Sequence, residues 1–134
     1  MNQIRAISII DDDPITVFGI KKMLNSINVC DDIRAFANGK EAIDHIKELI
    51  TQNQPVPEVI FLDINMPIMD GWQFLEEFIN LPLEEKIRIN IVTSSIDLYD
   101  KKQWEYFRQK THHLIDFKNK PLRKSEIAAI TKAA

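Results

Sequence analysis

The sequence predicts an α/β protein in which a doubly wound, five-stranded parallel sheet carries helices on both faces. Apolar runs of strand length alternate with longer segments of helical period along the chain. One run, Val59 to Leu62, is continuously apolar, as a strand buried on both faces requires. The 134 residues, 45% of them apolar, suffice for one core and leave no room for a second domain of comparable size.

The first strand runs from Ile7 to Ile10 and stops at three aspartates. Pro14 suits a first helical turn, where its missing N–H leaves nothing unpaired, and Ile20, Met23, Leu24 and Ile27 then recur at helical spacing. Ile33 to Phe36 is less apolar, which fits an edge strand, and Asn38 with Glu41 three residues on can cap the next helix. Ala42, Ile43, Ile46, Leu49 and Ile50 form the buried stripe of that helix, and the stretch from Thr51 to Pro57, with two prolines, ends it. Beyond the strand Val59 to Leu62, Asp70 and Gly71 open a third helix carrying Phe74, Leu75, Phe78 and Ile79, closed by Pro82. Ile87 to Val92 is a fourth strand with weaker alternation. The segment Asp97 to Lys110 is helical but polar, anchored by Trp104 and Phe107, so it is expected to pack loosely and to be available for contacts. Leu114 to Phe117 is a fifth strand and Leu122 to Lys132 a short last helix, with no linker, repeat or low-complexity segment between.

Composition excludes several classes. Disorder, a collagen-like repeat and a disulfide-stapled miniprotein do not fit a chain with 28% charged residues, 3 Gly, 6 Pro and 1 Cys beside that apolar content. Seventeen Lys and Arg against 20 Asp and Glu leave a net charge of −3, so no global positive field recruits nucleic acid or an anionic membrane. The lone Cys30 has no partner for a disulfide or a structural zinc site, which favours a reducing compartment, and the cytoplasm is the expected location. The N-terminus MNQIRAISII carries no leader signature, and no window approaches the roughly 18 apolar residues of a membrane span.

Successive βα units demand right-handed crossovers, and a sheet covered on both faces has one place where the strand order reverses. Ligands sit there, beyond the carboxyl ends of the strands. The residues at those ends are Asp11, Asp12 and Asp13 after the first strand, Asp63, Ile64 and Asn65 after the third, Thr93, Ser94 and Ser95 after the fourth, and Lys120 with Pro121 near the fifth. If the first and third strands are neighbours, two or three carboxylates meet, and such proximity raises one pKa unless a cation sits among them. Mg²⁺ suits that oxygen set and is commonly shared between carboxylates and phosphate oxygens. Zinc ligands are missing: His112 and His113 are adjacent and would point to opposite faces of a strand, as a structural or surface pair. A carboxylate can also attack phosphorus once the charge on the transferring oxygens is neutralised, and Lys120 and Thr93 supply an ammonium and a hydroxyl for that purpose. Any one aspartate at a strand end is more often a cap or turn former. Five such groups at the ends of four strands outweigh capping.

These residues resemble the receiver domains of two-component response regulators in their stand-alone, chemotaxis-receiver form, over nearly the whole chain from Ile7 to about Ile130. The most specific stretch is FLDINMPIMDG, Phe61 to Gly71, supported by IIDDDP at Ile9 to Pro14, VTSS at Val92 to Ser95, and KP at Lys120 and Pro121. The resemblance implies a flavodoxin-like sheet of order 2-1-3-4-5 and a single receiver domain over residues 1–134 without an output domain. It makes Asp63 both the phosphoacceptor and a Mg²⁺ ligand, Asp12 a direct Mg²⁺ ligand with Asp11 acting through water, and Asn65 a ligand through its backbone carbonyl. Thr93 and Lys120 would bind the phosphoryl oxygens, with Thr93 and Phe117 forming the switch, and Asp13 would cap the first helix. A sensor histidine kinase or phosphotransfer protein would donate the phosphoryl group to a switch that is not an enzyme with a separate substrate, and output would pass to another protein. The chain departs from the family pattern at Thr111, His112 and His113, where small residues are usual, and in its polar fourth helix.

A haloacid-dehalogenase-like small phosphatase is the alternative, since Asp11 and Asp13 satisfy half of its Asp-x-Asp-x-Thr/Val pattern; Ile15 occupies the last position and Thr16 stands one place too far. A pseudo-receiver that only binds partners would lack acceptor positions, which here are filled. Dinucleotide binding fails because Gly19, Gly39 and Gly71 are scattered and no glycine-rich loop succeeds the first strand.

Overall fold

The structure, a computed structural model, describes residues 3–94 and 96–132; Ser95, grouped with Thr93 and Ser94 in the sequence, lies outside the described residues. Five strands, β1 (Ile7–Ile10), β2 (Ile33–Phe36), β3 (Val59–Leu62), β4 (Arg88–Thr93) and β5 (Leu114–Asn119), alternate with five helices, α1 (Pro14–Ile27), α2 (Gly39–Thr51), α3 (Gly71–Phe78), α4 (Leu98–Lys110) and α5 (Lys124–Thr131). The sheet order is β2-β1-β3-β4-β5, with every neighbouring pair parallel. From β1 the chain winds first toward β2 and then crosses to β3, so the reversal in strand order falls between β1 and β3.

The pleat sorts the core onto two faces. Ile10, Ile60 and Leu62 pack with Ile43, Ile46, Phe74 and Phe78 of α2 and α3 on one side. Ile7, Ile9, Val59 and Phe61 pack with Ile20 and Leu24 of α1 and Ile127 of α5 on the other. β4 is buried from Ile89 to Thr93, and its alternation is weak because it lies inside the sheet with both faces covered. β2, at the edge, is only half-buried.

Several boundaries differ from expectation. β4 starts and ends one residue later than Ile87 to Val92, and β5 continues past Phe117 because Lys118 and Asn119 pair with Val92 and Thr93. α3 stops at Phe78, short of Pro82, in tight turns where the N–H groups of Asn80 and Leu81 reach the carbonyls of Glu77 and Phe78. α5 begins at Lys124 after an N-cap at Arg123, not at Leu122.

The histidine pair also departs from expectation: the rings are not on opposite faces but lie 4.1 Å apart between centroids, because both residues precede β5 in a turn. His113 is buried, and its Nδ1 accepts the Ile87 N–H at 3.0 Å while its ring lies 5.1 Å from Phe78. His112 remains exposed and its Nε2 donates to the Glu85 carbonyl at 3.0 Å. The pair is structural, pinning the entry to β5 against the entry to β4.

Candidate functional site

The sheet itself aims the site residues. The Asp11 N–H donates to Phe36 at 2.9 Å and the Asp63 N–H to Ile10 at 2.8 Å, so both aspartates leave adjacent strands in register. Across the sheet, the Lys120 N–H donates to Thr93 at 2.8 Å, which carries the lysine back toward the same rim. Asp11 and Asp63 are 4% and 5% exposed and Thr93 is fully buried, whereas Asp12 and Asn65 are exposed.

Lys120 Nζ lies 3.0 Å from Asp11 Oδ2 and 3.7 Å from Asp63 Oδ2. Asp11 Oδ1 accepts the Asp13 N–H at 2.9 Å, and Asp63 Oδ1 the Asn65 N–H at 3.3 Å. Asp11, Asp12 and Asp63 each offer a carboxylate oxygen, all within 4.8 Å of one another. Burial, and behind it the neighbouring Asp11 carboxylate, push Asp63 up to about 6, against the pull of Lys120 and the Asn65 N–H. Burial alone would lower Lys120, but its hydrogen bond and attraction to Asp11, with Asp63 and Asp13 behind, outweigh that and hold its pKa above the ordinary value. The ammonium is therefore charged wherever the site operates.

Asp13 is the cap that the sequence suggests: its carboxylate accepts the Thr16 hydroxyl at 2.9 Å and the Ile15 N–H at 3.0 Å, and these bonds, the Thr16 one foremost, hold it below the usual carboxylate range. Phe117 is half-buried, edge-on to Trp104 with centroids 4.8 Å apart, and the Trp104 Nε1 donates to the Ile115 carbonyl at 2.8 Å. The structure thus gathers Asp11, Asp12, Asp63 and Lys120 into one cluster. Thr93 ends the adjoining strand, and Phe117 stands two residues before Asn119, its register partner.

One positioning residue escapes a reading of composition and period. Gly71, which opens α3, accepts no side chain: a Cβ there would lie 2.6 Å from the Asp63 carbonyl and 2.8 Å from Ile64 Cα. Both are backbone atoms beside the buried aspartate, so Gly71→Ala is expected to destabilise the fold by about 1–3 kcal/mol through overpacking. Urea unfolding measures this, and a change within about 0.5 kcal/mol, the range of ordinary surface substitutions, would contradict it. The available signal is a glycine directly after a capping aspartate, where a helix former would otherwise serve.

Three carboxylates, two of them buried, with no His or Cys in the cluster, make an all-oxygen set. Such a set fits a hard divalent cation such as Mg²⁺ and not zinc. Burial, with the Asp11 carboxylate behind it, raises Asp63 by more than the Lys120 ammonium lowers it.

A 2-1-3-4-5 parallel sheet with an acidic rim and a lysine at its switch point is the architecture of a receiver domain of two-component signalling. The chain belongs to the response regulator receiver domain family, which it matches over residues 7–132. A response regulatory protein of Vibrio cholerae is 32% identical over 130 residues, covering 96% of this chain and 44% of the relative, so the chain spans under half of that protein's length. The two-component response regulator 24 of Arabidopsis thaliana is 29% identical over 122 residues, covering 91% of this chain and 78% of the relative. Among solved structures, a two-component response regulator from Cytophaga hutchinsonii aligns with a TM-score of 0.81 at 25% identity, covering 96% of this chain and 95% of that one. These matches give the phosphatase alternative no support. Among the described residues, no helix is long and apolar enough to cross a membrane.

Proposed function

We propose that this receiver domain accepts a phosphoryl group on Asp63 from a sensor histidine kinase or phosphotransfer protein and thereby switches a protein-binding face. The observation that carries this reading is the Lys120 ammonium lying 3.0 Å from Asp11 and 3.7 Å from the buried Asp63, beyond the carboxyl ends of the central strands. An Asp63 oxygen attacks phosphorus in line, the donor P–N bond breaks, and an acyl phosphate forms. Lys120 already carries the charge that the phosphoryl oxygens need, so no reorganisation is required as they approach. When bound, Mg²⁺ supplies further neutralisation of those oxygens. Asp12, Asp63 and the Asn65 carbonyl would hold it; Asp11, already engaged by Lys120 and the Asp13 N–H, would act through water.

Thr93 and Phe117 form the switch in this reading. The Thr93 hydroxyl bonds the phosphoryl group, and Phe117 leaves its edge-on contact with Trp104 to pack inward, which changes the surface made by α4, β5 and α5. Another protein reads that surface. A single buried free thiol, Cys30, is consistent with a reducing compartment, and we place the protein in the cytoplasm.

Intact-mass analysis after incubation with Mg²⁺ and acetyl phosphate tests the assignment. The wild type is expected to gain about 80 Da, the mass of one phosphoryl group, and Asp63→Asn to gain none. An adduct retained in Asp63→Asn, or found on Asp11, would overturn it.

A further inference from the structure

We propose that the groove between α3 and α4 is a docking site for an amphipathic helix of another protein, one whose apolar ridge runs between an acidic edge and a basic edge. This does not depend on phosphoryl transfer, because neither Asp63 nor Lys120 lines the groove.

The groove encloses about 530 Å³. Its floor is apolar: Trp72 and Phe107 stack in parallel with centroids 5.9 Å apart, and the Trp72 Nε1 donates to Asp100 Oδ1 at 3.1 Å, tying α3 to α4. Above this floor Ile68 is 80% exposed and Tyr99 61% exposed. Ile68 is further unusual in its backbone. Its φ of 69° lies in the left-handed region, where Gly or Asn is the ordinary choice and a β-branched residue is strained. Neither the strain nor the exposure of this side chain stabilises the isolated fold. Both are explained if Ile68 is an anchor that a partner covers.

The two outer edges of the groove carry opposite charge. On the α3 side stand Asp70, Glu76 and Glu77; Lys47 neutralises Glu77 at 2.9 Å, while Asp70 and Glu76 have no cation within 4.0 Å among the described residues. On the α4 side the groove is lined by Tyr99, Gln103 and Phe107, and outside that lining Tyr99, Lys102, Tyr106 and Lys110 recur at intervals of three, four and four, a single exposed stripe of the helix. That stripe is on the flank away from Trp104, which faces β5. Lys110 lies 5.1 Å from the Tyr106 ring, and neither lysine has a carboxylate within 4.0 Å among the described residues. A polyanion such as nucleic acid is repelled by the α3 edge and a polybasic helix by the α4 edge. A helix presenting cations to α3 and carboxylates to α4 satisfies both, with its ridge on Ile68, Tyr99 and the floor.

The test uses three leucine-ridged model helices, with mixed edges, all-Glu edges and all-Lys edges, titrated into the full ¹⁵N-labelled chain. The mixed helix is expected to bind at least about tenfold more tightly than either uniform one, a difference of about 1.4 kcal/mol, with amide shifts centred on residues 68–77 and 98–110. Tyr99→Ala is expected to weaken it about tenfold. Ile68→Asn is expected to weaken it while leaving the thermal midpoint unchanged or higher, since Asn tolerates the left-handed region. Equal binding of a uniform helix, no binding of the mixed one, shifts mapping elsewhere, or a lower midpoint for Ile68→Asn would overturn the proposal. So would concentration-dependent shifts without peptide, which would make a second copy of this chain the occupant.

Discussion

Replacing Lys120 by methionine is expected to remove most phosphoryl acceptance and to destabilise the metal-free protein at once. The ammonium is the one cation that contacts both Asp11 and Asp63 among the described residues, and both aspartates are nearly fully buried. Removing one partner of a buried pair leaves its charge uncompensated, which typically costs 3–5 kcal/mol; the partial exposure of Lys120 reduces this to about 2–3 kcal/mol here. The acceptance rate should fall by about 10²–10³, the usual loss when a preorganised charge-stabilising donor is deleted. A divalent cation replaces part of the missing charge, so Mg²⁺ should restore stability more in the variant than in the wild type. Urea unfolding with and without Mg²⁺, and the time course of the acetyl phosphate adduct, measure both effects. A stability change below about 0.5 kcal/mol would show that Lys120 acts as an ordinary solvated charge.

Much of this rim can be anticipated from the residues because a parallel sheet directs the loops after its strands to a single edge. Three strands are read at their observed boundaries: β1 and β3 are apolar runs ended abruptly by aspartate, and β2 is a less apolar run shortly before the Asn38 cap. Position within the sheet is less legible: β4 reads as weakly alternating since both of its faces are covered, and the extension of β5 to Asn119 depends on pairing with β4, which local pattern does not encode. The same holds for His112 and His113, whose expected divergence presumes that they lie within a strand, whereas the turn before β5 stacks them. At the site, Asp11, Asp12, Asp63 and Lys120 are identifiable by type and place. The burial that pushes Asp63 up to about 6, and the closeness of Gly71 to its carbonyl, arise only from packing. α4 buries only Phe107, as its polar composition leads one to expect.

Asp63→Asn and His113→Gln are expected to tilt the acid stability of the metal-free protein in opposite directions. Asp63 titrates near 3.8 when unfolded and about 6 when folded, so the native state binds the proton first. Stability from this group is therefore present at low pH and lost as pH rises through about 6. His113 has the reverse sign. Burial, followed by the adjacent His112, lowers it from 6.5 to about 4, while Glu85 opposes them weakly. Between pH 6.5 and 4 the unfolded chain takes the proton and the folded one does not, so stability from His113 is present above 6.5 and lost as pH falls. Protonating Nδ1 would also break its bond with the Ile87 N–H, which positions the start of β4. The two windows overlap between about pH 6 and 4, where each group contributes a slope of up to about 1.4 kcal/mol per pH unit, of opposite sign. In the wild type these slopes offset each other. Asp63→Asn should leave the His113 loss exposed, giving a steep fall of about 2–3 kcal/mol on acidification from about pH 6.5 to 4. His113→Gln should leave the Asp63 gain exposed and flatten or invert the same curve, whatever its effect on absolute stability. Urea midpoints in chelator-treated protein across this range decide the matter: parallel curves for the wild type and both variants would mean that burial shifts neither group.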